Sequence, residues 1–225
     1  MLAAIDWNWM LKDGGAKPNS LTLCMGWTPE NGFINSRWAN FSEDAMLYIQ
    51  GLGSSRLMNE RNWAAVKRTV KTYKGYEALL GGPLFLVHMS HAFFDFKGKR
   101  DTAGWDYWVW GRNFTLAHRQ YAIDNPKNWN GYDQNVWALS ATDSPTGYKV
   151  HGIMGYGDDD GTLAPLSAVA SVIFTPNESL AAAQAYRQNY PTLYGRYGFA
   201  VAINPSKAWV GPDTIGIDAG MNESG

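Results

Sequence analysis

Hydrophobic residues recur every three or four positions along three stretches of this chain, and that spacing predicts amphipathic helices. The stripes run from Trp38 to Leu52, from Trp63 to Tyr73 and from Tyr107 to Tyr121. We expect Gly53 to stop the first helix and Asn125-Pro126 to end the third. Because each stripe needs an apolar partner, the pattern favours a core built from packed helices.

Three further helices are predicted from other signals. Residues 83–96 are apolar on most sides, which indicates a buried helix with Pro83 in its first turn. Residues 165–174 predict a second buried helix. Thr175-Pro-Asn-Glu178 has the form of a capping box and predicts a helix through about Tyr190. Strands are expected to be few. The Gly- and Asp-rich stretches are predicted to form long loops or short hairpins: residues 11–37, 128–163 and 194–225.

Composition narrows the class of protein. The 225 residues can form one ordinary domain, or part of one. The net charge of -1 gives no sign of the positively charged surface that binds nucleic acid. No apolar run is long enough for a membrane span, and the first residues lack the features of a signal peptide. One Cys excludes an internal disulfide. The 11 Trp and 12 Tyr favour an aromatic-lined groove, although large helical proteins also bury many rings.

Residues 25–54 carry the most informative chemistry. Glu30, Glu43 and Asp44 lie there among aromatic, amide and guanidinium side chains. Aromatic rings stack on pyranose faces, and a pair of carboxyl groups can cut a glycosidic bond. The combination therefore favours a sugar-handling cleft. Aromatic residues three and four apart are also typical of a core, so both interpretations stay open.

Nine segments resemble the glycoamylase-like family, which includes endo-β-1,2-glucanases and the transglycosylating domain of cyclic β-1,2-glucan synthases. Their order and spacing cover nearly the whole chain. The segments are DWNWM (6–10), GWTPENGFINSRW (26–38), SEDAMLYIQGLGS (42–54), HMSHAFFDFKG (88–98), DYWVWGRNFTLAHRQYAIDNP (106–126), WALSATDSPTGY (137–148), DDDGTLAPLSAVASVIFTPNESL (158–180), YGFAVAINP (197–205) and GID (216–218).

The resemblance implies an (α/α)6 barrel with a β-glucan cleft at one end. Family members carry further chain before the equivalent of Asp6 and after that of Gly220. We therefore expect residues 1–225 to be one family domain that is truncated on the N-terminal side. Truncation at the C-terminus is an open alternative. The resemblance also favours a periplasmic or extracellular location. It implies an oligo- or polysaccharide substrate and no cofactor, and the oligomeric state stays open.

Glu30 and Glu43 are the candidate catalytic acids. Glu30 lies in a Pro-Glu-Asn-Gly turn, from which a loop could present it to a substrate, and a solvated turn residue is the alternative. Glu43 opens a predicted helix, so helix capping competes with catalysis. A partner acid from a missing N-terminal part is a further alternative. The separation of the two carboxyl groups would decide between inversion and retention.

Aromatic and polar residues near the matched motifs are the candidate sugar contacts. Each Trp among them is as readily explained by core packing, and the Arg on the long predicted helix by an ion pair. The predicted substrate-binding residues are Trp27, Arg37, Trp38, Asp44, His91, Trp105, Arg119, Trp137, Asp143 and Tyr148.

Two patterns suggest metal sites only weakly. His88, His91 and Asp95 would share one helix face, but no fourth ligand is evident, so core or cleft-lining histidines are expected. Asp158-Asp-Asp-Gly161 lacks the alternating oxygens of a calcium loop and more simply predicts a turn that offers a carboxylate to sugar. We therefore predict no metal.

The sequence thus predicts hydrolysis or transglycosylation of a β-glucan, with β-1,2 linkage favoured by the resemblance. The rival is a non-catalytic carbohydrate-binding remnant of such an enzyme. A helical core module without sugar affinity is the third interpretation.

Overall fold

The computed structural model describes residues 4–54 and 58–223. The chain divides into two compact units, one up to Thr69 and one from Val70 onward. Helices dominate, as predicted. The helices are α1 (Trp7–Lys12), α2 (Ala45–Ser54), α3 (Glu60–Ala65), α4 (Phe85–His91), α5 (Tyr107–Asp124), α6 (Pro165–Ala170), α7 (Pro176–Asn189) and α8 (Gly216–Glu223).

The strands form two-stranded antiparallel sheets only, among the residues described. Most of these sheets are short hairpins inside the stretches predicted to be loops or hairpins. The pairs are β1 (Trp27–Thr28) with β2 (Gly32–Phe33), β3 (Val70–Tyr73) with β4 (Tyr76–Leu79), β5 (Ala141–Thr142) with β6 (Lys149–Val150), β7 (Tyr194–Gly195) with β8 (Gly198–Phe199), and β9 (Ile203–Asn204) with β10 (Trp209–Val210).

Helix α5 is the longest helix of the second unit and confirms the clearest stripe. The side chain of Asp106 caps its first turn by accepting a hydrogen bond from the backbone N–H of Val109 at 3.0 Å. Asn125 ends it in the left-handed conformation, with φ of 39°, directly before Pro126. Its buried face includes Phe114 and His118, which belong to the interior of that unit. A regular stripe followed by a strong end signal therefore predicted the helix and its C-terminal limit.

Helices α6 and α7 confirm the predicted helices over 165–174 and 175–190, with α6 continuing as a 3-10 turn over Ser171–Ile173. The predicted capping box is wrong. Thr175 does precede α7, but its hydroxyl donates back to the carbonyl of Ser171 at 3.4 Å. The preceding turn competes for this hydroxyl, so Pro176 at the first helical position is the start signal that holds.

Two predicted helices differ from the structure. Helix α2 begins at Ala45, so the first residues of the stripe from Trp38 lie outside it, and it continues through Gly53, where we expected it to stop. The stripe from Trp63 to Tyr73 is wrong beyond α3, because residues 70–73 form strand β3 of a hairpin.

Helix α4 is shorter than predicted. It starts after Pro83, as expected, but ends at His91. Its alternate residues Leu86, His88 and Ser90 are buried. Beyond its end, Phe93 is 63% exposed, so the apolar run does not continue as a buried helix.

Candidate active site and sugar-binding residues

A hairpin in the first unit presents Glu30 to solvent. Strands β1 and β2 pair Trp27 with Phe33, and the turn between them carries Glu30 at an exposed tip. The backbone N–H of Asn31 donates to the hydroxyl of Thr28 at 3.1 Å, which closes the turn. The carboxyl group of Glu30 is thus held on a short hairpin where a substrate can reach it.

Three rings form an aromatic patch at the base of this hairpin: Trp9, Trp27 and Phe33. The Trp9 ring centroid lies 5.3 Å from that of Trp27 and 4.5 Å from that of Phe33. Trp9 is 39% exposed and Trp27 is 45% exposed, which is unusual for rings this large. Exposed rings of this kind offer faces for pyranose stacking. The structure therefore places Trp27 and Glu30 on one hairpin, and it adds Trp9 and Phe33 to the candidate contacts.

Glu43 lies in the turn immediately before α2 and is half-buried. Burial raises the pKa of its carboxyl group, while hydrogen bonds from its own backbone N–H and from Ser42 act in the opposite direction. A raised pKa keeps the proton on the acid at higher pH, which is the property that a general acid requires. These features suit the catalytic role predicted for Glu43.

Asp44 is buried, with only 1% of its surface exposed, so it cannot contact sugar directly in this structure. Its Oδ1 accepts hydrogen bonds from the backbone N–H and the hydroxyl of Ser42 at 2.9 and 2.7 Å. Its buried Oδ2 has no donor among the residues that the structure describes. Burial and the neighbouring charge of Glu43 raise the pKa of Asp44 to about 6. The predicted sugar contact is corrected: Asp44 shapes the turn that carries Glu43.

Arg37 fastens loops of the first unit and is not available to bind sugar. Its guanidinium donates to the carboxylate of Asp13 at 2.7 Å and to the carbonyl oxygens of Leu11 and Thr22. Burial opposes ionisation of Asp13, but hydrogen bonds from Lys17 and Arg37 lower its pKa. The planar guanidinium presents its donors in a fixed fork, which suits it to hold a carboxylate and several carbonyl oxygens at once. The prediction that Arg37 contacts sugar is therefore wrong for this structure.

Trp38 is half-buried next to this clamp. Its carbonyl oxygen accepts a hydrogen bond from the hydroxyl of Tyr48 at 2.7 Å, and Tyr48 is fully buried. The backbone at Trp38 is thereby fixed, while part of its side chain remains accessible. Its role as a sugar contact stays a prediction.

Trp137 belongs to the core of the second unit. Its side chain is fully buried, and its carbonyl oxygen accepts a hydrogen bond from the hydroxyl of Tyr186 at 2.7 Å. The alternative of core packing is therefore correct for Trp137, and the predicted subsite wall is wrong at this position.

Trp105 lies just before α5, and Arg119 lies in the C-terminal half of this helix. The Nε–H of Arg119 donates to the carbonyl oxygen of Gln134 at 2.9 Å, so this side chain holds the loop that follows α5. Trp105 is half-buried, and its ring centroid lies 5.5 Å from that of Trp110. Its backbone N–H donates to Asp101 at 2.9 Å. The structure gives Arg119 a structural partner, and it leaves the predicted sugar contact of Trp105 as a prediction.

Asp143 and Tyr148 lie on the β5–β6 hairpin, and they belong to a carboxyl cluster with Asp213 and Asp218. Burial raises the pKa of Asp143, and the neighbouring charge of Asp213 raises it further. Burial also raises the pKa of Asp218 to about 6. Tyr148 is 63% exposed, and its pKa is raised by partial burial and by the charges of Asp218 and Asp143. The cluster thus joins an exposed ring to proton-binding carboxyl groups.

Asp213 and Asp218 were missed because they lie far along the chain from the β5–β6 hairpin. No local pattern marks Asp213. Asp218 falls in the Gly-Ile-Asp segment that supports the family resemblance, and it occupies the first turn of α8. That segment was the one signal that could have identified it.

Two acidic side chains of the loop at 158–160 are held by partners within the protein. Asp159 accepts hydrogen bonds from the hydroxyls of Tyr121 and Tyr132 at 2.8 and 2.7 Å. Asp160 lies 3.1 Å from the buried His151 and 3.2 Å from Lys149. The suggestion that this loop offers a carboxylate to sugar is therefore wrong for these two groups.

The histidines of α4 are not arranged as a metal site. His88 is buried against the hydroxyl of Ser171 at 3.0 Å, and burial lowers its pKa to about 3. Asp95 is exposed and pairs with Lys99 at 2.7 Å. Within residues 4–54 and 58–223, no group of three or more His, Cys, Asp or Glu side chains could hold a metal ion.

His91 borders an open cavity of about 430 Å³ at the end of α4, together with Phe93 and Trp108. Its Nδ1–H donates to the carbonyl oxygen of Val87 at 2.6 Å. Burial lowers the pKa of His91 to about 4, although the carbonyl oxygens of Val87 and Tyr107 act in the opposite direction. The structure places a neutral His91 at a cavity wall, and its role as a sugar contact stays a prediction.

None of the helices in the described part of the chain combines the length and the hydrophobicity that crossing a bilayer requires.

Residues 35–223 match the model of the Glycoamylase family, described as "putative glucoamylase", and the chain belongs to that family. It is 27% identical, over 95% of its length, to an exo beta-1,2-glucooligosaccharide sophorohydrolase (non-reducing end) from Parabacteroides distasonis. It covers 33% of that relative, so the chain spans about a third of the length of the curated protein it matches.

Solved structures are similar over nearly the whole chain. The endo-beta-1,2-glucanase from Chitinophaga pinensis, in complex with sophorotriose and glucose, is 25% identical with a TM-score of 0.87. The match covers 98% of this chain and 55% of that protein. A crystal structure from Bacteroides fragilis NCTC 9343, described by the same words as the family, is 28% identical with a TM-score of 0.88 over 99% of this chain and 55% of its own.

Proposed function

We propose that this protein is a glycoside hydrolase that cleaves or transglycosylates a β-1,2-linked glucan. The observation that carries the proposal is the similarity, over 95–98% of the chain, to proteins named as hydrolases of β-1,2-glucans and their oligosaccharides. The composition of the candidate site supports it, because exposed rings and carboxyl groups are the groups that sugar binding and glycosidic cleavage need.

Glu43 is the proposed general acid. Its raised pKa lets it hold a proton and pass it to the leaving glycosidic oxygen. Glu30 is the proposed second carboxyl group, since its exposed position on the β1–β2 turn allows it to activate water or to attack the anomeric carbon. The aromatic patch of Trp9, Trp27 and Phe33 is the proposed stacking surface beside it.

In the second unit we propose Asp143 and Tyr148 as sugar contacts. Tyr148 presents an exposed ring, and the carboxyl groups near it can hydrogen-bond to sugar hydroxyls. We further propose that the chain forms part of an (α/α)6 toroid. The high structural similarity to the family and the dominance of helices support this proposal. Action in the periplasm or outside the cell is proposed on the family resemblance alone.

The test measures reducing ends released from linear β-1,2-glucan, with β-1,3- and β-1,4-glucans as linkage controls. We expect products from the β-1,2-linked polymer only. Glu43→Gln and Glu30→Gln should each lower the rate at least about a hundredfold, since each removes an acid–base function. Trp137→Phe is the control, because it changes a buried ring of the core outside the candidate site. It should keep most of the activity of the wild type.

The pH profile separates the two acids. Because Glu43 must carry its proton, the rate should fall as the pH rises through its raised pKa. Glu43→Gln should lose this alkaline limb together with most of the activity.

Binding of β-1,2-glucan without any product would instead favour the carbohydrate-binding remnant. Neither binding nor product would overturn the proposal and favour a helical module without sugar affinity.

A further inference from the structure

The cavity at the end of α4 carries a mixture of rings and charged groups. It has a volume of about 430 Å³ and lies wholly within the second unit, between residues 91–97, Trp108 and Ile173. This volume is in the ordinary range for small-molecule sites. None of the residues proposed as catalytic lines it.

The walls of this cavity, which we call the α4 cavity, are rich in accessible ring surface. Phe93 is 63% exposed although it follows a helix with buried neighbours. The rings of Phe94 and Phe96 lie 6.3 Å apart between their centroids, and the ring of His91 lies 4.7 Å from that of Phe96. The rings support one another, so the wall keeps its shape while Phe93 faces solvent. Exposed rings on a fixed wall are suited to stacking.

Charged groups lie among those rings. The Nζ of Lys97 lies 5.2 Å from the centroid of the Trp108 ring, in a cation–π contact. Asp95 lines the cavity as a carboxylate, because a hydrogen bond from Lys99 lowers its pKa. The cavity thus offers an ammonium donor, a carboxylate acceptor and apolar ring faces. Sugar hydroxyls can hydrogen-bond to both charged groups, whereas a purely hydrocarbon ligand would use the ring faces alone.

We propose that the α4 cavity is a binding subsite for a glucosyl unit of a β-1,2-gluco-oligosaccharide. Phe93 stacks on the apolar face of the pyranose, the carboxylate of Asp95 accepts hydrogen bonds from sugar hydroxyls, and Lys97 donates to a hydroxyl oxygen. This inference deepens the proposed function and rests on it for the identity of the sugar. The proposal does not involve the acids that cut the bond.

The first experiment measures the binding of sophorose to the full chain by isothermal titration calorimetry. Phe93→Ala should weaken the binding about tenfold, as expected from the loss of a stacking ring. Tyr197→Ala is the matched control, because it removes a ring that is 69% exposed elsewhere in the same unit. It should bind sophorose as the wild type does. Equal affinities of wild type and Phe93→Ala would overturn the subsite.

The second experiment uses the fluorescence of Trp108, which lines the cavity. Sophorose should change the tryptophan emission of the wild type, and Trp108→Phe should reduce that change by the share that Trp108 contributes. Lys97→Met replaces the ammonium group by an uncharged side chain and so loses the donor, and it should also weaken the binding. A fluorescence change of equal size in wild type and Trp108→Phe would contradict a sugar in this cavity.

The subsite and the proposed function can fail separately. Cleavage of β-1,2-glucan by a wild-type chain whose sophorose binding is insensitive to Phe93→Ala would refute the subsite alone. Sophorose binding that depends on Phe93 and Lys97, in a chain that releases no product, would uphold the subsite and refute the hydrolase.

Discussion

Asp44→Asn should make the stability of the protein less dependent on pH. Asp44 is buried and has an ordinary pKa of 3.8, which burial and the charge of Glu43 raise to about 6 in the folded chain. Between these two pH values the folded state binds a proton that the unfolded state has already released. The ionised carboxylate therefore destabilises the folded state as the pH rises through this window, and the loss is complete above about pH 6.

The difference of about two pKa units corresponds to about 3 kcal/mol of unfolding free energy. An Asn at position 44 keeps an oxygen for the two hydrogen bonds from Ser42 and cannot ionise. Its amide nitrogen would occupy a buried position without a partner among the described residues, and this adds a cost that does not vary with pH. That constant offset cancels when the same pair of proteins is compared at pH 4 and at pH 7.

The assay is urea unfolding followed by tryptophan fluorescence at intervals from pH 4 to pH 8. Relative to wild type, the unfolding free energy of Asp44→Asn should rise by about 2 kcal/mol between pH 4 and pH 7, since the unfolded Asp is already partly ionised at pH 4. Asp95→Asn is the control, because a hydrogen bond from Lys99 lowers the pKa of Asp95 below its ordinary value of 3.8, outside the range of the assay. Its difference from wild type should stay nearly constant from pH 4 to pH 8. A difference between Asp44→Asn and wild type that is flat across this range would refute the burial argument.

Three substitutions test the structural roles assigned above. Arg37→Lys should lower the unfolding free energy by about 2 kcal/mol, because an ammonium group cannot reach both the Asp13 carboxylate and the carbonyl oxygen of Leu11. The KM for glucan should stay within twofold of wild type. Tyr186→Phe should cost about 1–2 kcal/mol in urea unfolding, since it leaves the carbonyl of Trp137 unpaired in the core. Gly111→Ala should lower the melting temperature and cost about 1–3 kcal/mol, because the new Cβ would lie 2.6 Å from the ring of Phe174. An unchanged Tm for Gly111→Ala, or a raised KM with unchanged stability for Arg37→Lys, would contradict these roles.

Local signals predicted a helix well where one regular period ran up to a clear end. The stripe of α5 and its end at Asn125-Pro126 are the example. The stripe from Trp63 to Tyr73 failed because two patterns overlap there. Val70 to Tyr73 continues the helical spacing by chance, but Lys74 and Gly75 both take positive φ, 49° and 87°, and turn the chain into a hairpin. A two-residue turn of this type fixes the pairing of Tyr73 with Tyr76.

The residue types of the candidate site were predictable, but the environment of each side chain was not. Glu30 was expected in a turn and lies at an exposed hairpin tip. Arg37 and Trp137 have the chemistry of sugar contacts, yet Arg37 is bound by Asp13 and by the carbonyl oxygens of Leu11 and Thr22, and Trp137 is buried. Asp213 reaches Asp143 only through the folded chain, so no spacing in the sequence could reveal the contact. Burial and long-range proximity are properties of tertiary packing.

The most direct test of the account is the incubation of the purified chain with linear β-1,2-glucan, followed by chromatography of the products. We expect sophoro-oligosaccharides to appear over time, and Glu43→Gln, still folded by circular dichroism, to form almost none. An intact polymer after prolonged incubation with the folded wild-type chain would contradict it.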